Sequence, residues 1–287
     1  MVATVIFAIA AFKIAEWTKS SASEVPESEG KRGDAVSASA AATSGSITKV
    51  IPQVAIGSFD GGITKYSTVV EVVNSGNSDA TVTGSFYKEN GDLSPVAMTT
   101  NLNASASFMG TLGPLTLPTG RILVISGGTT PASTPSNGLI GWGKLTTTGE
   151  VSISTFFEVR DGTTGALYSR TGIASSRPDL STFLIPRVHT KSGLDVAFAL
   201  VNTGSAAASI TGTLKDAAGM TVAKRSITMN PGTHQALFAN QFFSLQNEAE
   251  ERSYQYILFR SNSPSFAAIA LGFEAGAQTS FPVEPLQ

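Results

Sequence analysis

Lys144 lies in the stretch "GLIGWGKL" (138–145), in which two glycines with four residues between them precede a lysine, as in a phosphate-binding loop. Such a loop needs a Ser or Thr next, to hold the magnesium ion, and must open a helix after a strand. Leu145 stands in that place. Ile140, Trp142 and Lys144 alternate as a strand does, so a nucleotide site is not expected. The chain has two histidines, His189 in "RVHTKSG" and His234 in "NPGTHQAL". Neither has a second histidine at metal-ligand spacing, and no H-E-x-x-H or G-x-S-x-G occurs. Ser192 and Asp195 lie close enough to His189 in sequence for a Ser–His–Asp arrangement. Both histidines read more simply as surface-loop residues.

Glu158 and Glu274, each following a phenylalanine, could pair for acid–base work only if one site brought them together. A strand-end structural role fits both. Asp60 in "SFDGGIT" and the acidic turn "ENGD" (89–92) offer oxygens to calcium without the ligand rhythm of a calcium loop. Trp142 could stack on a sugar, although an alternating strand makes it a core position. No catalytic, cofactor or metal residue is assigned on these signals, and the expectation is a non-enzymatic protein.

The elements that carry these residues are strands. Charged residues are 14% of the 287, against about 25% in ordinary soluble domains. Gly, Ser and Thr fill the gap, which suits strands and turns. A formal charge of −2 leaves no basic stripe for nucleic acid. With no cysteine, disulfides, thiolate metal sites and cysteine catalysis are excluded.

The chain says nearly the same thing twice. Residues 72–92, "VVNSGNSDATVTGSFYKENGD", and 200–220, "LVNTGSAAASITGTLKDAAGM", agree at seven of 21 positions, among them Asn74/Asn202 and Gly84/Gly212. Val82, Gly84 and Phe86 alternate with Thr81, Thr83 and Ser85, and Ile210, Gly212 and Leu214 with Ser209, Thr211 and Thr213. Apolar-in, hydroxyl-out alternation of period two marks a half-buried antiparallel strand. Each copy reads as strand, Asn-Gly turn, strand, with a second hairpin closed at Gly91 or Gly219. "KVIPQVAI" (49–56) is echoed by "LIPRV" (184–188), whose shared proline suits an edge or first strand. "TLPTGRILVIS" (116–126) answers "TMNPGTHQALFAN" (228–240). "GWGKLTTTGEVSISTFFEV" (141–159) answers "ILFRSNSPSFAAIALGFEA" (257–275), each read as a hairpin.

The expected fold is all-β, two tandem Ig-like antiparallel β-sandwich repeats. The first covers 47–183 with a loop insertion at 127–138, and the second covers 184–287. Helix is expected nowhere in them beyond a turn near 240–251.

Ahead of them, "MVATVIFAIAAFKIAEW" (1–17) reads as a short apolar helix and 18–46 as a flexible linker. Eleven apolar residues rise only about 16 Å as a helix, half of a ~30 Å hydrocarbon core. That length suits an export signal, a short anchor or a segment docked on a partner.

The turn and core motifs quoted from 50 to 283 resemble the tandem β-sandwich repeats of secreted and cell-surface bacterial proteins. The resemblance implies export and a structural or adhesive role as surface spacer, adhesin stalk or fibre subunit, and it carries over no functional residue. Expected partners are neighbouring copies or another surface protein, with a membrane through 1–17 and glycans as further options. The alternative is a carbohydrate-binding module, which needs exposed coplanar aromatics on a sheet face or in the 127–138 loop.

Overall fold

A computed structural model describes residues 45–58, 62–102, 107–127, 138–188, 196–245, 254–274, 277–281 and 283–286. The segments 1–17 and 18–46 therefore lie outside the described residues, apart from the last two positions of the second, and so does most of the 127–138 insertion.

The first half contains β1 (Ile47–Ile56), β2 (Thr64–Asn74), β3 (Ala80–Lys88), β4 (Ala97–Thr100), β5 (Ser107–Met109), β6 (Thr111–Leu117), β7 (Ile122–Gly127), β8 (Leu139–Thr147), β9 (Val151–Asp161) and β10 (Leu167–Ile173). The second contains β11 (Thr182–Val188), β12 (Ala197–Asn202), β13 (Ala208–Asp216), β14 (Thr221–Met229), β15 (His234–Phe238), β16 (Tyr254–Ser261), β17 (Phe266–Glu274), β18 (Ala277–Phe281) and β19 (Glu284–Pro285). Among the described residues a short helix, Ala239–Phe243, follows β15 and turns Phe242 and Phe243 into the second core.

Antiparallel pairing arranges these strands in four sheets. The first half holds β1-β8-β3-β6 and β10-β9-β2-β7-β4-β5; the second holds β14-β13-β16-β11-β19 and β15-β12-β17-β18. The order β1-β8-β3-β6 thus recurs as β11-β16-β13-β14, and β9-β2-β7 recurs as β17-β12-β15. In each half the two sheets face each other across one apolar core, as the alternation demands. Val70, Val72, Val82 and Phe86 are buried in the first, and Phe198, Leu200, Ile210 and Leu214 in the second. Thr81, Thr83, Thr211 and Thr213 take the outer face, exposed or half-buried.

The strands flanking the Asn-Gly turns do not pair with each other, which corrects their reading as hairpins. β2 and β3 lie in opposite sheets, and so do β12 and β13; β8–β9 and β16–β17 cross between sheets in the same way. Both strands of each pair carry inward apolar residues, and facing them across the core buries both sets where edge pairing would bury one. The turn at 217–220 does close a hairpin, β13–β14. At 89–92 the chain reverses only as far as the Tyr87–Leu93 bridge, and β6 takes the long edge of β3.

Asn74 and Asn202 hold these crossings with matched bonds. The Asn74 Nδ2 donates to Ser78 O and, in the opposite sheet, to Leu117 O, both at 2.9 Å; its Oδ1 accepts from Gly76 N at 3.0 Å. The Asn202 Nδ2 donates to Ala206 O and Met229 O at 2.9 Å, and its Oδ1 accepts from Gly204 N at 3.0 Å. Their backbones match too. Asn74 N donates to Arg121 O and Asn202 N to Thr233 O, both at 3.1 Å, while the two carbonyls accept from Gly120 N and Gly232 N. Gly84 and Gly212 are glycines for want of room. A Cβ on Gly84 would lie 2.9 Å from Leu145 Cδ2, and one on Gly212 would lie 2.7 Å from Phe242 Cε1.

The prolines sit as expected. β1 is an edge strand, and Pro52 falls in the register shift between Ile51 and Val54. Pro186 of β11 lies beyond the two residues, Phe183 and Leu184, that pair with β19.

Candidate functional site

Most residues with chemical potential serve the frame. "GLIGWGKL" runs into β8 as a strand, with Leu145 buried in the core, so no phosphate loop forms. Glu158 bonds Arg160 at 2.9 Å and stands 3.6 Å from Arg170, whose guanidinium reaches Glu71 at 2.9 Å and lies 4.1 Å above the Phe156 ring. That is a cross-strand ladder of charges. Glu274 ends β17, in the other half of the chain. In the 89–92 turn Asp92 accepts from Lys88 at 3.0 Å and Asn90 at 2.8 Å, so its carboxylate closes the turn. Asp60, His189, Ser192 and Asp195 lie outside the described residues. Among the described residues no three His, Asp or Glu side chains gather as a metal site.

Two of the singled-out residues come together where the halves meet. Trp142 projects from β8, stacks on Tyr87 with ring centroids 4.2 Å apart, and donates Nε1–H to Gly232 O at 2.8 Å. His234, two residues further, begins β15 and is buried, which corrects its reading as a surface-loop residue. Alternation along "HQALF" puts His234, Ala236 and Phe238 on one buried face. Ala236 and Phe238, with Ala199, Ile269 and Leu271, join the core of the first half, while Val50, Trp142, Val201 and Ala267 form a small cluster of their own.

Polar bonds lock this contact. His234 N donates to Glu89 O at 2.9 Å, and its Nε2 meets Gln53 Oε1 at 2.9 Å. Val50 and Ser176 pair through their backbones, and Ser176 Oγ accepts from Ala268 N at 3.1 Å. The turns approach so closely that a Cβ on Gly91 would stand 3.1 Å from Gly232 O. The junction is therefore a bonded interface in which histidine, tryptophan and glutamine act as structural members. Burial pushes the His234 pKa down to about 3, so the ring is neutral at physiological pH.

The alternation in "HQALF" was the available signal that His234 points inward. What covers it, Gln53 and Glu89 from the other half, left no mark near it in sequence. Trp142, buried and covered by Tyr87, offers no face to a sugar. A cavity of about 110 Å³ lies beside the junction, lined by Ser176, Arg177, Leu180, Ile269 and Phe281 among others. It falls short of the ~300–1,000 Å³ of small-molecule sites.

No known family profile and no curated protein matches this chain. Among solved structures the chain is similar to the pilus backbone (RrgB) from Streptococcus pneumoniae, at 13% identity over 72% of this chain and 75% of that one. The TM-score is 0.13.

Proposed function

We propose that this protein is a non-enzymatic structural element of the cell exterior, built from two copies of one Ig-like sandwich unit, 47–183 and 184–287. The observation that carries the proposal is where the polar side chains go. Asn74, Asn202, Trp142, Gln53 and His234 are buried, and their hydrogen bonds tie sheet to sheet or half to half. Enzymes instead converge such groups on an open cleft with perturbed proton affinities. Here His234, whose proton affinity is strongly lowered, is buried at the junction.

The proposal takes neighbouring copies of the chain, or another surface protein, as partners. Residues 1–17 serve as the export or anchoring segment and 18–46 as the tether. The low charge and the Ser/Thr-rich outer strand faces suit a spacer or fibre subunit that works by shape. Protease treatment of intact cells of the source organism tests this. The protein is expected to be degraded while a cytoplasmic marker survives. Full protection until the cells are lysed would overturn the exterior role.

A further inference from the structure

Glu89 Oε1 and His234 Nδ1 are both buried, both without a hydrogen-bond partner, and face each other across the junction at 4.0 Å. The ring's hydrogen can be placed. Gln53 Nε2 donates to Val54 O at 3.5 Å, so the atom it turns to the ring is Oε1, which can only accept. The donor in that 2.9 Å contact is therefore Nε2–H, and Nδ1 is left without a hydrogen. Nδ1 therefore presents a lone pair to a carboxylate oxygen. Two buried acceptors point at one another, and a single proton would satisfy both.

We infer that Glu89 and His234 form a one-proton lock between the two sandwiches. A proton taken up by Glu89 Oε1 is donated to His234 Nδ1, drawing the 89–92 turn onto β15. Closing from 4.0 Å to a hydrogen-bonded separation of about 2.7 Å needs a shift of about 1.3 Å. The Glu89 side chain is 31% exposed, which gives the proton a way in. The junction then tightens on mild acidification and slackens above it.

Little else in the described neighbourhood competes for that proton. From the 89–92 turn come Lys88 and Asp92, paired with each other at 3.0 Å on the surface. β1 contributes neutral Gln53 and, further along, Lys49; β8 contributes Lys144; β12 and β15 carry no other charge.

The pH dependence follows from the two shifts. Burial raises Glu89 above its ordinary 4.5, so its contribution to stability grows as pH falls through the raised value towards 4.5. Burial lowers His234 from 6.5 to about 3, so its contribution is lost as pH falls from 6.5 towards 3. In the wild type the two oppose each other once pH is below both 6.5 and the raised Glu89 value. Glu89→Gln replaces the proton site with a permanent N–H donor and leaves only the histidine loss.

The test is thermal unfolding of the full chain, wild type and Glu89→Gln, from pH 5 to pH 8. The variant is expected to melt about 2–4 °C higher at pH 8, with the gap closing or reversing by pH 5. A gap independent of pH, or a variant less stable at pH 8, would overturn the lock. Nitrogen NMR of the two histidine rings gives a second readout. His234 should show an unprotonated Nδ1 down to pH 5, whereas an imidazolium forming near the ordinary 6.5 would also overturn it. Neither result bears on the exterior role, which the protease experiment tests separately.

Discussion

Asn74→Ala and Asn202→Ala are each expected to lower the unfolding free energy by about 3–5 kcal/mol, and by similar amounts. Each side chain makes three bonds of 2.9–3.0 Å from a buried position, and one of them spans the two sheets of a sandwich. Truncation at 74 strips partners from the buried Leu117 O and Gly76 N, besides the exposed Ser78 O, and each buried polar group left unpaired costs about 1–3 kcal/mol. Aspartate would not rescue the site, because it keeps the acceptor and points a carboxylate at two carbonyl oxygens. Urea titration of both variants measures the effect. A large loss at one asparagine with less than about 0.5 kcal/mol at the other would show that the two crossings are not equivalent.

Phe198→Ala is expected to cost about 3–5 kcal/mol. Its ring packs edge-on against Phe242 at 5.4 Å and Phe259 at 5.2 Å, and Phe259 in turn stacks on Phe183 at 5.1 Å. The short helix that carries Phe242, together with β11, β12 and β16, thus meets in one aromatic cluster, and Gly212 lies beneath it without a side chain. Removing Phe198 leaves a void that neighbours held by β11, β16 and the helix cannot close. Thr211→Ala, on the outer face of β13, should stay within about 0.5 kcal/mol and serves as the comparison. A loss below about 1 kcal/mol for Phe198→Ala would mean that β12 does not present this face to the core.

The period-two alternation in 80–88 and 208–216 was enough to place the inward residues correctly, because burial on a pleated strand depends only on parity. Asn74 and Asn202 were legible as turn formers. That their amides reach Leu117 and Met229 in the facing sheet was not, since the acceptor lies 43 or 27 residues away. The hairpin reading of these turns failed for a related reason. A short Asn-Gly turn can join two strands side by side or across a core, and the choice rests on which strands capture the remaining edges. β7 and β9 take both edges of β2, leaving none for β3. His234 was misplaced because proximity to the "NPGT" turn suggested solvent. Its cover comes from Gln53, 181 residues earlier, and no local pattern encodes a contact of that range.

Scanning calorimetry of the full chain tests most directly the central claim, that these buried polar residues bind two sandwiches into one structural unit. A single transition is predicted, with calorimetric and van't Hoff enthalpies equal, because the core of the first half is completed by Ala199, Ala236, Phe238, Ile269 and Leu271 of the second. Two resolved transitions, each with the enthalpy of one half, would contradict it.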